Sequence, residues 1–335
     1  MSTTAQKIPK LIDIGSNLGD PVFRGNYHGK QSHPDDFPSI LSRSRHAGVG
    51  IQLLTGDCIS GSSSVLSLAN EHEGLFSTVG CHPCRANEMV DYAHGGIEGY
   101  IEKLEELIVK GKEGGKVRAV GECGLDYDRL FLSSKEAQLK AFPPQLSLAT
   151  KHSLPLFLHS RNCHLDFIRL LRSHPSPSPI RGVVHSFTGT LPEALDLISL
   201  SPEIYIGLNG CSLKTSENLS VVKELPLERL MIESDCPWCE IRPSHASYPF
   251  LSDLLEELKE VYQVRMVKKE KFVEGCGVKG RNEPISTGLV AWVVSKLKGV
   301  GVEEVAETTT RNAQRLFGFK EEDGVWEGSV QKVEE

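Results

Sequence analysis

Glu122, His159, His185 and Asp235 stand where four β-strands should end: Glu122 after VRAVG, His159 after LPLFL, His185 after GVV and Asp235 after LMIES. Two imidazoles and two carboxylates on the C-terminal tips of buried strands make a divalent-metal site, because neutral His and ionised Asp or Glu are ligands shared by Zn, Mn and Mg. A central Glu can bridge two ions, which in two-metal sites lie about 3.5–4 Å apart and stabilise attacking and leaving oxygens together. Glu122 is the bridging candidate. One strand-end His is more often structural than a ligand, so the expectation rests on the convergence of all four.

Eight apolar, β-rich runs bounded by turn residues could carry these groups: 10–16, 49–56, 75–81, 117–122, 155–159, 181–186, 204–210 and 229–235. Their near-continuous hydrophobicity predicts parallel strands buried on both faces. Between them lie segments with helical spacing: Phe37, Ile40, Leu41; Tyr100, Leu104, Leu107; Leu139, Phe142, Leu146, Ala149; and Leu219, Val222, Leu225. Pro143 and Pro144 predict that the third is kinked or starts late. The alternation predicts an α/β fold, a (β/α)8 TIM-type barrel. An open doubly wound sheet is the weaker alternative, because no GxGxxG follows the first strand. In a barrel, Asn17, His82 and Asn209 join the four at the catalytic rim.

A chain of 335 residues suits one such domain, since barrels of about 250 residues with insertions are single units. The expected organisation is a single domain over 1–335. It comprises a barrel core at about 8–320, a catalytic-face insertion at about 239–282 and a solvated tail at about 320–335. With 39% apolar and 24% charged residues, disorder is not expected. A net charge of −7 excludes a global field that would pull the protein onto a polyanion. Nucleic-acid contact would need bound cations or a local patch, such as Lys259, Arg265, Lys268, Lys269, Lys271, Lys279 and Arg281 in the insertion. Nine cysteines, an N-terminus without an apolar signal core, and no apolar run near the roughly 20 residues of a membrane span predict a soluble, intracellular protein, cytoplasmic or nuclear.

The blocks around these residues resemble the signatures of the TatD-type metal-dependent deoxyribonucleases. They are GECGLD at 121–126, LHSR at 158–161, VHSFTG at 184–189, IESDCP at 232–237 and RNEP at 281–284, with TVGCHP at 78–83 and YIGLNG at 205–210. The match runs in order from about Ile12 to Phe317, and IDIGSN at 12–17 is similar to the eukaryotic branch close to bacterial TatD. The resemblance implies a distorted barrel that binds divalent metal, usually Mg²⁺, with Mn²⁺ or Zn²⁺ as alternatives, in one or two ions. It implies hydrolysis of DNA, with RNA as a second substrate class, often from the 3′ end, with no membrane and no obligate protein partner. Glu122, His159, His185 and Asp235 become the metal ligands. Glu122 and Asp235 become the catalytic pair, Asp235 accepting the proton of the attacking water. One departure stands out: barrel metallohydrolases with His-x-His after the first strand have two imidazoles where this chain has Gly15 and Asn17. Asn17 could offer an amide oxygen instead.

Asn17, His82, Arg161 and Trp238 are the substrate-binding candidates, with His82 and Arg161 on phosphate oxygens and Trp238 stacking an unpaired base. Phe187 and Tyr248 are further stacking candidates. Asp126, Arg281, Asn282 and Glu283 are expected to support the ligands. The CxxC pairs Cys81/Cys84 and Cys236/Cys239 match no zinc-ribbon spacing, and prolines 237, 243 and 249 oppose a thioredoxin-like helix, so neither use is expected. Two other readings compete. Hydrolysis of a small amide or ester is weakened by the missing His-x-His and by the lack of a strand-4 lysine. A non-catalytic scaffold is weakened by the intact quartet.

Overall fold

The computed structural model describes residues 8–175 and 178–326. Eight strands form one parallel sheet in sequence order: β1 (Leu11–Ser16), β2 (Val49–Leu54), β3 (Leu75–Val79), β4 (Val117–Asp126), β5 (Leu156–Arg161), β6 (Gly182–Val184), β7 (Ile204–Leu208) and β8 (Leu230–Ile232). Each lies within, or extends by a few residues beyond, the run expected to form it. The apolar runs work because the side-chain period is two and both faces are covered. Ile12, Ile14, Ile51, Leu53, Phe76, Ala119, Phe157, Val183, Tyr205 and Met231 cluster inside the barrel. Alternate residues, such as Leu11, Val49, Val117, Leu156 and Ile206, pack with the surrounding helices.

Between β8 and β1 the barrel is joined by specific polar bonds. The Asp235 N–H donates to the Gly15 carbonyl (2.8 Å) and the Asn17 N–H to the Cys236 carbonyl (2.9 Å). Asp13, wholly buried in β1, accepts from the Ser234 N–H (2.9 Å) and meets the Ser234 hydroxyl at 2.6 Å. Burial pushes the Asp13 carboxyl up to about 7, against the hydrogen bonds from Ser234. The native state therefore keeps a proton that the unfolded chain releases near 3.8, so this group's contribution is complete below about pH 4 and lost as pH rises to about 7. Asp13→Asn keeps an acceptor for the Ser234 N–H and a donor for its hydroxyl. Thermal melts across that window should show a smaller loss of stability with rising pH in the variant than in the wild type.

The helix Lys135–His152 carries Pro143 and Pro144 inside it, so of the two outcomes expected from them, a kink or a late start, the late start does not occur. Ser134 caps it by accepting the Ala137 N–H. Its buried face, with Phe142 stacked on Phe167 at 5.4 Å, compensates the donors that Pro143 and Pro144 lack. Two fully buried glutamines on that face, seven residues apart, reach the strand tips. Gln138 brackets Asp126, accepting its N–H (2.7 Å) and donating to its carbonyl (2.8 Å). Gln145 does the same for Cys81, beside His82 (2.7 and 3.1 Å).

The floor of the barrel is closed by α11 (Val302–Phe317) and the residues after it, through Leu316, Phe317, Phe319 and Trp326. Gly50 admits Trp326 there, since a Cβ at position 50 would lie 2.4 Å from the indole. Of the stretch expected as a solvated tail, residues 320–322 are exposed whereas Trp326 is buried, and 327–335 lie outside the described residues. Among the described residues no helix is long and apolar enough to cross a membrane.

Candidate active site

Three imidazoles converge on one carboxylate at the C-terminal rim. Glu122 Oε1 lies 2.8 Å from His159 Nδ1, 2.7 Å from His185 Nε2 and 3.2 Å from His82 Nε2. The tips hold this geometry through close backbone approach. A Cβ at Gly124 would fall 1.9 Å from the His159 carbonyl, and its φ of +148° is one that side chains rarely adopt. Burial opposes ionisation of Glu122, but His185, His82 and His159 outweigh it and hold the carboxyl well below its ordinary range. The same attraction overcomes burial at His185 and His82 and raises both.

The outer nitrogens sort the three rings, because a neutral imidazole that donates on one side offers a lone pair on the other. His159 Nε2 meets Asp126 Oδ2 at 3.1 Å and His185 Nδ1 meets Glu233 Oε1 at 3.4 Å. His159 thus has an outward carboxylate partner of the kind that orients a metal-ligating imidazole, whereas the buried His185 Nδ1 faces Glu233 without a hydrogen bond. His82 Nδ1 accepts the Cys84 N–H (3.0 Å), leaving an Nε2–H that points at Glu122.

With the facing nitrogens unprotonated, the two imidazoles and the Glu122 carboxylate present three donor atoms to one point. Glu122 Oε1, His159 Nδ1 and His185 Nε2 are separated by 2.7–3.4 Å. Ligands at about 2.0–2.1 Å from an octahedral ion sit about 3 Å apart at neighbouring positions, so the donor set fits one divalent ion. Among the described residues, the ligand atoms of His82, Glu122 and His159 also group within 4.8 Å.

Asp235 occupies the other side, with φ +49°, held by Asn17 Nδ2 (3.1 Å), Asn209 Nδ2 (3.4 Å) and Cys239 Sγ (3.1 Å). Burial, with the nearby Glu233 and Glu122 charges, pushes its carboxyl up to about 6. The Asn17 oxygen accepts the Thr55 hydroxyl, and its amide nitrogen donates to Asp235 Oδ1 and to the Cys236 carbonyl. Asn282 donates to the Ser234 carbonyl (2.9 Å), steadying the same loop. Arg281 and Glu283, by contrast, bond Asp36, Val22 and Arg43 and not the quartet.

Asn17, His82, Glu122, His159, His185 and Asp235 line a cleft of about 720 Å³ that also takes in Arg85, Arg129, Arg161 and Trp238. Trp238 is 56% exposed, a free ring face at the rim, while Phe187 is buried and cannot stack on a ligand. Tyr248 and the insertion residues Arg265, Lys268, Lys271 and Lys279 are exposed outside the cleft lining. Sequence reasoning passed over Arg85, Arg129 and Glu233. The first two follow the strand-tip residues His82 and Asp126 by three positions, and Glu233 is a carboxylate inside the apolar eighth run, so each left a signal.

The model of the family described as TatD related DNase matches residues 25–318. A protein named Deoxyribonuclease Tat-D from Schizosaccharomyces pombe is 47% identical, over 92% of this chain and 96% of that protein. One named 3'-5' ssDNA/RNA exonuclease TatD from Erwinia tasmaniensis is 32% identical, over 92% and 100%. A solved structure described as an uncharacterized amidohydrolase from Saccharomyces cerevisiae superposes with a TM-score of 0.83 at 36% identity, covering 92% of this chain and all of that one.

Proposed function

Because the chain belongs to the TatD-related DNase family, we propose that it is a divalent-metal-dependent nuclease that hydrolyses DNA phosphodiesters, as a 3′→5′ exonuclease on single strands or ends. The observation that carries this reading is the Glu122 carboxylate shared by His159 and His185 on the floor of an arginine-rimmed cleft. Glu122, His159, His185 and Asp235 would hold the metal, Mg²⁺ first, with Mn²⁺ or Zn²⁺ as alternatives. When bound, it supplies Lewis acidity at the phosphate and lowers the pKa of water.

The remaining work falls to the chain's own side chains. Asp235 takes the proton of the attacking water. His82 Nε2–H, freed from Glu122, donates to a non-bridging phosphate oxygen, and the Arg161 guanidinium, anchored by Thr188 and the Ser186 carbonyl, holds a second. Arg85 and Arg129 supply the positive rim that a chain of net charge −7 otherwise lacks. Trp238 stacks an unpaired base, a contact worth about 1–3 kcal/mol.

The test is incubation with 3′- and 5′-labelled single-stranded oligonucleotides in Mg²⁺, Mn²⁺, Zn²⁺ or EDTA. A ladder from the 5′ label that EDTA abolishes is expected. Failure to cleave with any of the three metals would sink the proposal. Glu233 enters as a positioning residue, taking the Ser186 N–H (2.7 Å) and Asn209 (3.1 Å) while it faces His185. Glu233→Gln should weaken metal affinity by about 10–100-fold, the usual cost of disturbing a ligand's outer partner. A metal titration of activity should show the midpoint shifted and the plateau partly restored.

A further inference from the structure

We propose that Phe131 is a base-stacking platform on the wall of the cleft opposite Trp238, a site for an unpaired nucleobase of a single-stranded substrate. Phe131 is 82% exposed, and its neighbours Leu130 and Leu132 are exposed as well. A ring left this far in water adds nothing to the core, and a run of exposed apolar residues marks a surface that meets something else. The three lie in a turn after β4, closed by the Leu132 N–H donating to the Arg129 carbonyl (2.9 Å). Turn tips ordinarily carry Gly, Asn, Asp, Ser or Pro, so Leu130 and Phe131 are not there for turn chemistry.

The turn is pinned at both ends to residues of the site. At its start, Asp126 Oδ1 accepts the N–H groups of Asp128 (2.9 Å) and Arg129 (3.1 Å), while Oδ2 of the same carboxylate meets His159. At its end, the buried Ser133 hydroxyl accepts the Asn87 N–H (3.0 Å) and donates to the Cys84 carbonyl (3.1 Å), two residues past His82. Gln138 Nε2 donates to the Ser133 carbonyl (3.0 Å). The backbone that carries the ring is thus fixed relative to His159 and His82, and stacking on it costs little ordering.

Charge and topology name the occupant. Arg129 and Leu132, on either side of Phe131, line the cleft together with Arg85. An aromatic face beside guanidinium groups, in a chain of net charge −7, is the combination that single strands need: cations for the backbone and a π-face for the base. A duplex keeps its bases stacked on one another and offers such a face only at its end. The eight strands follow one another in sequence order and β8 returns to β1, so β4 and β8 are four places apart in either direction. Phe131 after β4 and Trp238 after β8 therefore face each other over Glu122, and bases on the two sides of a central phosphate each find a ring. The choice of substrate rests on the proposed nuclease function.

Phe131→Ala should keep the wild-type melting temperature, since so exposed a ring packs on little, and should raise the Kd of a fluorescently labelled single-stranded oligonucleotide about tenfold, the effect of one lost base stack. Binding is read by anisotropy in EDTA, where metal-dependent cleavage does not consume the probe. Phe131→Trp should restore the affinity. A single abasic residue walked along the oligonucleotide should weaken wild-type binding by a similar factor at one position and leave Phe131→Ala unaffected there, a pattern that a general loosening of the loop does not produce. No binding by the wild type, an unchanged Kd for Phe131→Ala, a Phe131→Trp variant as weak as the alanine one, or abasic costs equal in both proteins at every position would overturn the proposal. So would a Phe131→Ala variant that changes only the sedimentation of the free protein, because the patch then meets a second copy of the chain. Cleavage of the same oligonucleotide in Mg²⁺ separates the two readings. Wild type that binds through Phe131 without cleaving sinks the nuclease alone, and wild type that cleaves while Phe131→Ala binds equally well sinks the platform alone.

Discussion

Glu122→Gln is expected to lower Mg²⁺-dependent hydrolysis by roughly 10³-fold or more while the barrel stays folded, since charge and acid–base contributions of 10²–10⁴ are typical of single groups in such sites. Glu122 is the one anion that His82, His159 and His185 all face. Glutamine has nearly the same shape but no charge, so it neither binds the ion as strongly nor raises His82 and His185 as Glu122 does. The loss should persist at saturating metal, which separates it from the midpoint shift expected for Glu233→Gln. Stability should change little, because removing a buried charge relieves desolvation while costing hydrogen bonds. Kinetics at several metal concentrations, with a thermal melt of the same preparation, check both halves. A folded variant with near-normal turnover would refute the central role of Glu122.

The eight strands were legible because barrel strands buried on both faces leave the same trace, a short apolar run ended by turn residues. Residues at their tips are then neighbours in space whatever their distance along the chain, which is why Glu122, His159 and His185 could be grouped before their contacts were seen. Pairings between loops left no such trace. The contacts of Asn17 and His82 were also beyond reach, since they depend on which atom faces which: the Asn17 oxygen on Thr55, the His82 Nδ1 on the Cys84 N–H. Pro143 and Pro144 misled about where the helix Lys135–His152 starts for a related reason, because packing of Phe142 and the tethers of Gln138 and Gln145 override the local cost.

Arg281→Met is expected to destabilise the protein by about 3–5 kcal/mol, the typical cost of removing one partner of a buried ion pair. Arg281 is 1% exposed and grips Asp36 with two nitrogens, at 2.8 and 2.6 Å, and Glu283 with one of them at 3.0 Å. Arg43 reaches Glu283 from the other side, at 3.1 Å through each of two nitrogens. The network thus fastens the end of the insertion after β8 to α1 (Phe37–His46) and the loop before it, across the seam where β8 meets β1. Methionine fills much of the arginine's volume but takes both hydrogen bonds from the buried Asp36 carboxylate, leaving Arg43 at 4.0 Å and His33 at 3.8 Å, whereas Glu283 keeps Arg43 at 3.0 Å. Most of the loss should therefore sit on Asp36, and Asp36→Asn added to Arg281→Met should recover part of it, since the orphaned charge is then gone. Denaturant titrations of the wild type, both single variants and the double variant close the cycle. Additive losses would show that Asp36 and Arg281 act independently. The same cycle bears on the site, because Asn282, next to Arg281, donates to Ser234 and its N–H to Pro237 at 2.9 Å on either side of Asp235. If the clamp positions that loop, Arg281→Met should lower turnover at temperatures well below its melt, and the double variant should restore stability more than turnover.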